Sequence, residues 1–286
     1  MSQLTRRQHI VPDFYLSQWA NTNGRITCHD IPERRTFACD PAKALAQSYF
    51  YEEDPSQPDN RVEKILSAME GVCSVTFKKL FAHGQAAATS TDPRKAAAAL
   101  QALVTNEDAD NLSQFAAYQY MRVPGAIDQK AYEVQPSEIS ESERAHALNP
   151  GRFVESGYTY VQDRFRAMKL LILASPSREF ITSDWPCFDM KDSLDSPLLG
   201  EEIGRNPGVV CYLPLTPRFG AVFFTSDFST AASRVARVIV RPQPDGVVKN
   251  QNTLVIQRAD RFVVASKEEP YIFQIAAKRK KVRPHI

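Results

Sequence analysis

The sequence predicts an α+β fold, in which a helical middle segment packs on a mainly antiparallel sheet built from the second half of the chain. The middle of the chain carries apolar and alanine-rich patterns at helical spacing. In the second half, "GVVCYLPLTP" and "FGAVFFTS" are rich in β-branched and aromatic residues and are separated by a turn signal. Near the amino terminus, "GRITCHD" and "RRTFACD" flank Pro32-Glu33 and predict a small hairpin.

Three helices are expected in the middle segment. From Arg61 to about Phe81 one apolar stripe recurs at helical spacing, formed by Val62, Ile65, Leu66, Met69, Cys73 and Phe77. Asp92-Pro93 is a typical helix start, and the alanine-rich run that follows to Val104 favours a helix. A third helix is expected from about residue 106, and Val123-Pro124-Gly125 ends it.

The second half of the chain alternates between helical and strand patterns. A helix is expected from Arg152, followed by strands in "LLILASPSREFITSDWPCFDM" and a further strand in "VARVIV". The segment from Asn250 to Ser266 predicts another helix. Residues 129–150 are mostly polar and predict a flexible segment, and residues 278–286 form a basic tail.

Composition limits the classes of function. The 286 residues, 43% of them hydrophobic, suffice for one domain spanning residues 1–286. A net charge of +2 creates no global field that would dictate a nucleic-acid or membrane partner. No apolar run resembles a secretion signal or a membrane helix, so we expect a cytoplasmic protein without a membrane partner. Five scattered cysteines without a Cys-x-x-Cys pair favour small core residues over a disulfide framework.

Several separated motifs occur in a recognisable order along the chain. They are Gln8-His9-x-x-Pro12-x-x-Tyr15-Leu16, Tyr49-Phe50-Tyr51, Glu63 with Glu70, Gln119-x-x-Arg122, Thr182-Ser183-Asp184-x-Pro186, Pro214-Leu215-Thr216-Pro217 and a late helix with Asn252. With these motifs the sequence resembles the bacterial family called "domain of unknown function 4238". It departs from the family pattern in carrying Gln47-Ser48, where an asparagine usually precedes the aromatic motif. The resemblance implies membership and no particular chemistry.

A set of polar residues in these motifs could form a site. Glu63 and Glu70 are seven residues apart, so on a helix both point in nearly the same direction, about 10 Å apart. Gln119 and Arg122 are three apart on another helix and could present an amide and a guanidinium to one anion. Asp184 follows an apolar strand pattern in "FITSDWP", and sites often form where a chain leaves a sheet.

The leading hypothesis is a metal-dependent hydrolase or nuclease acting on a phosphodiester or nucleotide. Carboxylates and an imidazole can hold Mg or Mn, which activates water and polarises a phosphoryl oxygen. The divalent metal would be bound by His9, Glu63, Glu70 and Asp184. His9 and Asp184 would be catalytic. The phosphate of a nucleotide or nucleic acid would be held by Gln119, Arg122, Thr182 and Ser183.

Each of these residues also has a structural interpretation. The glutamates suit a solvated helix surface, Asp184 suits a turn after a strand, and His9 could anchor the amino terminus through a backbone carbonyl. "HIVP" also resembles the metal-binding strand of HNH nucleases, but Asn21, Asn23 and His29 are poorly spaced to complete that site. The alternative function is therefore a non-catalytic ligand-binding or regulatory module with a buried polar network.

Overall fold

The computed structural model describes residues 5–88, 92–124, 149–190, 210–225 and 237–278. Most of the predicted flexible segment, residues 129–148, and most of the predicted basic tail, residues 279–286, lie outside the described residues. Asn149 is described, and its side chain accepts a hydrogen bond from the Arg152 amide at the start of a helix. None of the helices in the described ranges is long and apolar enough to cross a membrane.

Seven α-helices occur in the described residues. They are α1 (Asp13–Leu16), α2 (Arg61–Ala88), α3 (Pro93–Leu103), α4 (Asn106–Met121), α5 (Pro150–Ala167), α6 (Asp245–Arg258) and α7 (Tyr271–Ala276). Two of the starts are capped as their sequences suggest. Asp92 accepts hydrogen bonds from the amides of Arg94 and Lys95, and Thr105 forms a reciprocal capping box with Asp108 at the start of α4.

Among the described residues, three sheets are formed by eleven strands. They are β1 (Arg7–His9), β2 (Ile26–Asp30), β3 (Arg35–Cys39), β4 (Ala46–Ser48), β5 (Lys169–Ala174), β6 (Thr182–Ser183), β7 (Phe188–Asp189), β8 (Val210–Thr216), β9 (Phe219–Phe224), β10 (Val238–Pro242) and β11 (Phe262–Ala265). A five-stranded sheet has the order β10-β5-β9-β8-β7, a four-stranded sheet has the order β3-β2-β11-β6, and β1 pairs with β4.

The pairing confirms the predicted α+β class. Strands β8 and β9 are antiparallel neighbours, and the amino-terminal hairpin is β2 with β3. Among the described strands, β10 alone runs parallel to its neighbour, β5. The central helices precede a sheet built from the second half of the chain, as the sequence predicts.

One predicted helix is wrong in its second part. The helix expected from Asn250 to Ser266 ends at Arg258, and β11 takes up Phe262–Ala265. The carboxylate of Asp184 accepts hydrogen bonds from the amides of residues 260, 261 and 262, which holds the chain in a turn between α6 and β11. A partner distant in sequence therefore ends the helix.

An aromatic cluster joins the amino-terminal motif to the rest of the core. The rings of Phe14 and Tyr15 on α1 contact Phe77 of α2 and Phe115 of α4, with centroids 5.2–5.7 Å apart. The Tyr15 hydroxyl donates a hydrogen bond to the Pro214 carbonyl and lies 2.7 Å from Thr182 Oγ1. These contacts fold the amino-terminal motif back onto both larger sheets, because Pro214 lies in β8 and Thr182 in β6.

Candidate functional site

Gln8, in the middle of β1, holds the segment that follows β4. Its side chain is fully buried. The amide nitrogen donates to Glu52 Oε1 at 2.6 Å, and the amide oxygen accepts from the Tyr51 backbone amide at 2.7 Å. Glu52 also accepts from the backbone amides of Asp59 and Asn60. One buried amide and one buried carboxylate therefore fix the course of residues 51–60 with neutral donors only.

Arg122 lies at the carboxyl end of α4 and is 1% exposed. Its Nε donates to the Tyr51 hydroxyl at 2.9 Å, Nη1 donates to Glu70 Oε1 at 2.8 Å, and Nη2 donates to the His9 carbonyl. The Tyr51 hydroxyl in turn donates to the same His9 carbonyl at 3.0 Å. We call these four residues, His9, Tyr51, Glu70 and Arg122, the arginine network. It ties β1, the 51–60 segment, α2 and α4 together.

The electrostatics of the arginine network favour a charged arginine. Burial alone would lower the pKa of Arg122, but Tyr51 and Glu70 together raise it above its usual value. Burial raises the pKa of Tyr51 to about 12, against the lowering effect of Arg122. The guanidinium thus stays ionised and Tyr51 stays a neutral phenol across the physiological range.

Glu63 lies near this network without a hydrogen bond to it. No hydrogen bond or ion pair to its carboxyl group is found in the described part of the chain. Burial raises its pKa to about 7, and Arg122 lowers it while Glu70 and Glu52 raise it. Arg122 pairs with Glu70, so Glu63 has no direct cationic partner to hold it ionised.

His9 joins the arginine network through its backbone carbonyl, and its ring lies outside that network. The ring Nε2 lies 3.1 Å from the carbonyl oxygen of Ala42, so Nε2 carries the hydrogen in that contact. Ala42 belongs to the short 3₁₀ turn Pro41–Lys43. The imidazole therefore anchors the amino terminus to this turn, which is the structural interpretation that the sequence left open.

The Thr182-Ser183-Asp184 motif is engaged with backbone and with the core. Both Asp184 oxygens accept backbone amides, at 2.7–2.9 Å. Burial raises the pKa of Asp184 to about 6, and the amides of Phe262, Arg261 and Asp260 act in the opposite direction. Ser183 Oγ donates to the Trp185 carbonyl at 3.0 Å, and Thr182 contacts Tyr15. The motif caps the end of β6 and the turn before β11.

Gln119 is the remaining predicted contact residue. It is fully buried on α4, and neither its amide nitrogen nor its amide oxygen has a hydrogen-bond partner among the described residues. No hydrogen bond joins it to Arg122, one turn away in that helix. The predicted joint contact of the two side chains with an anion is therefore not seen, since each guanidinium nitrogen of Arg122 donates to an internal acceptor.

The predicted metal ligands do not converge in the described ranges. No group of three His, Cys, Asp or Glu side chains there is arranged to hold a metal ion. The predicted ligands were His9, Glu63, Glu70 and Asp184. Both glutamates lie near Arg122, whereas the His9 ring contacts Ala42. Asp184 accepts backbone amides just before β11. The divalent metal stays a prediction, without an assembled ligand set to support it.

A cavity of about 240 Å³ opens beside the arginine network. It lies between the segment that Gln8 holds and the start of α5. At Gly151 a side chain would place its Cβ 2.3 Å from the Tyr51 carbonyl oxygen, so only glycine lets α5 approach this closely. The cavity is lined by Tyr51, Glu52, Glu53, Asp54, Gln57, Asp59, Arg61, Val62, Asn149, Gly151 and Arg152.

Acidic residues outnumber basic residues in the lining of the cavity. Arg152 donates to both oxygens of Glu53 at 2.7 Å, and Arg61 pairs with Glu155 at 2.8 Å. The carboxylates of Glu52, Asp54 and Asp59 accept hydrogen bonds from backbone amides, the Gln8 amide and the Ser56 hydroxyl. Lys64 binds the Asp59 backbone carbonyl. The cavity therefore carries an excess of negative charge.

Sequence reasoning did not find this cavity. The sequence predicts the residues around Asn149 as the end of a flexible segment. The pattern Asn149-Pro150-Gly151 was an available signal, because an asparagine cap before proline predicts a helix start. The contact of that helix start with Tyr51 is not visible in local sequence.

A family model described as "Protein of unknown function (DUF4238)" matches residues 7–269. The chain belongs to this family. The match confirms the resemblance carried by the sequence motifs, and it spans both the arginine network and every residue that lines the cavity. Neither a curated protein nor a solved structure matched the chain.

Proposed function

We propose that this DUF4238 protein is a non-catalytic ligand-binding module whose ligand is a small organic cation. The proposed site is the cavity between residues 51–62 and the start of α5. One observation carries the proposal. Three of the lining carboxylates, Glu52, Asp54 and Asp59, accept hydrogen bonds from neutral groups, whereas both lining arginines are paired with carboxylates.

A bound cation would complete the charge balance of this cavity. At an effective dielectric constant of about 20, a carboxylate and a cation 4 Å apart attract by about 4 kcal/mol before desolvation is subtracted. The cavity is smaller than the roughly 300–1,000 Å³ of sites for drug-sized ligands, which favours a compact amine or quaternary ammonium group.

The arginine network would serve this site as a support. Each of the three guanidinium nitrogens of Arg122 donates to Tyr51, Glu70 or His9, and the residue is 1% exposed, so it is not available to a ligand. Tyr51 belongs both to the network and to the cavity lining. A rigid wall reduces the ordering cost of binding, which is the benefit of a buried polar brace beside a binding cavity.

Calorimetric titration tests the proposal. The probes are methylammonium and tetramethylammonium as cations, with inorganic phosphate as the anion of comparison. Asp59→Asn keeps an acceptor for the Arg61 amide and removes the charge, so we expect at least tenfold weaker cation binding with little change in folding. Asp163→Asn, the same substitution at an exposed position of α5, is the matched control.

Two results would overturn this function. The first is that neither cation produces saturable heat with the wild-type protein. The second is that Asp59→Asn and Asp163→Asn bind the cation as tightly as the wild type, because the lining charge would then have no role.

A hydrolase of phosphodiesters or nucleotides is the second candidate, favoured by Glu63. A carboxyl group with a pKa near 7 and no hydrogen-bond partner in the described structure suits a general acid or base. We expect such an enzyme to hydrolyse bis-p-nitrophenyl phosphate with Mg²⁺ or Mn²⁺, and Glu63→Gln to abolish the rate. Equal background rates for wild type and variant would refute this candidate.

A further inference from the structure

Two cysteines lie close together on the amino-terminal hairpin. In the register of β2 and β3, Cys28 is opposite Phe37 and Cys39 is opposite Ile26. Cys28 and Cys39 are therefore diagonal neighbours on the same face of the sheet. Cys39 contributes to the raised pKa of Cys28, and the Cys39 thiol itself donates to the Asp40 carbonyl at 3.4 Å.

The two thiols differ in their access to solvent. Cys28 is 2% exposed, whereas Cys39 is half-buried on β3, which is an edge strand of its sheet. Burial, with a smaller contribution from Cys39, raises the pKa of Cys28 to about 12. An oxidant from solvent therefore reaches Cys39 first, and Cys28 is the buried second thiol beside it.

We propose that Cys28 and Cys39 form an oxidation site that hydrogen peroxide converts to an intramolecular disulfide. The Cys39 sulfur attacks one peroxide oxygen, the O–O bond breaks, and water leaves, so Cys39 becomes a sulfenic acid. The Cys28 sulfur then attacks the Cys39 sulfur, and the hydroxyl group leaves as water with the Cys28 proton. In sum, two thiols lose two electrons and two protons, and one peroxide is reduced to two waters.

The position of β3 makes the closure feasible. Diagonal residues of a regular sheet lie about 7–8 Å apart, and a disulfide requires Cα atoms within about 6.8 Å. The strand must move by about 1 Å, and an edge strand is held by one neighbour only. The movement reaches the adjacent turn Pro41–Lys43, whose carbonyls contact His9 and Arg7 of β1.

The two thiols can react independently of the proposed ligand and of catalysis. Both thiols lie outside the cavity lining and outside the arginine network. The consequence is that an oxidant would covalently fix the hairpin on which the amino-terminal motif rests.

Peptide mapping of the full-length protein tests the oxidation site. The folded chain is treated with hydrogen peroxide, free thiols are alkylated in denaturant, and the protein is digested with trypsin. Cleavage after Arg25, Arg34, Arg35 and Lys43 places Cys28 in peptide 26–34 and Cys39 in peptide 36–43. We expect these two peptides to appear as one disulfide-linked species, which a reductant separates.

The chain provides its own control. Cys187 and Cys211 also lie near each other, but both are at most 1% exposed, so we expect both to remain alkylatable after the same treatment. In Cys28→Ser, Cys39 should proceed to the sulfinic acid, because its partner thiol is missing. The proposal is overturned if both wild-type peptides stay alkylated, if Cys39 is overoxidised while Cys28 stays free, or if Cys39 links only to a second molecule.

Discussion

Arg122→Met tests whether the arginine network is structural. The substitution keeps an unbranched side chain of similar length and removes the guanidinium, whose three nitrogens donate to Tyr51, Glu70 and His9. The charged hydrogen bond to Glu70 is worth about 1.5–3 kcal/mol, and the Tyr51 hydroxyl and the His9 carbonyl each lose a donor worth about 1 kcal/mol. Glu70 keeps some access to water, with 20% of its side chain exposed, which reduces the cost of stranding its charge. We therefore expect the free energy of unfolding to fall by about 3–4 kcal/mol, near the lower end for broken buried ion pairs.

Urea denaturation followed by tryptophan fluorescence measures this loss, because Trp19 and Trp185 are both buried in the folded chain. Arg152→Met is the matched control. It removes an equally well-formed ion pair with Glu53, but those side chains are 39% and 53% exposed, so we expect a loss below about 1 kcal/mol. If Arg122→Met lies within 1 kcal/mol of the wild type, the network does not stabilise the fold, and Arg122 becomes a candidate for ligand contact.

Three further predictions concern single side chains. The pKa of Glu63 is raised to about 7 from an ordinary 4.5, so its contribution to stability is present below pH 4.5 and lost as the pH rises through 7. In urea titrations, the free energy of unfolding of Glu63→Gln should therefore rise relative to wild type by about 1–2 kcal/mol between pH 5 and pH 8, after allowance for the partial exposure of Glu63. A gain in stability that is independent of pH would contradict the raised pKa. His29 is fully buried, accepts a hydrogen bond from the Glu269 amide, and has a pKa lowered by burial. Its contribution to stability is therefore present above the ordinary histidine pKa of about 6.5 and lost as the pH falls. The melting temperature of His29→Gln should fall less between pH 7 and pH 5 than that of wild type, and an equal fall would contradict this prediction. Asp184→Ala removes the acceptor of three backbone amides and should lower the free energy of unfolding by about 2–4 kcal/mol, whereas Asp184→Asn should lower it less. Thermal unfolding measures both losses. Equal losses would show that a carboxamide cannot replace the carboxylate as an acceptor.

Helices and paired strands could be predicted because their patterns are local. The stripe from Val62 to Phe77, which is buried except at Ile65, and the paired strands β8 and β9 depend on residues a few positions apart. The helix expected up to Ser266 failed for the opposite reason. Its end is set by Asp184, which lies 76 residues or more from the amides that it binds.

The candidate site could be predicted only in part. Sequence reasoning placed Glu63, Glu70 and Arg122 in one group, and the structure brings these three together. It did not reveal that the guanidinium pairs with Glu70 and leaves Glu63 unpaired, or that the His9 backbone rather than its ring joins the group. The cavity was missed because its two walls come from residues about 90 positions apart.

The fold class, most of the element types, the family and the polar residues of interest follow from the sequence alone. Which of these residues meet depends on how distant elements pack. In the folded chain, Arg122 and the Asp184 carboxylate form hydrogen bonds within the protein. The residues Glu52, Asp54 and Asp59 line a cavity. Periodicity and capping act within a few residues, whereas a buried polar group pairs with whichever partner the packing of distant elements brings within about 3 Å.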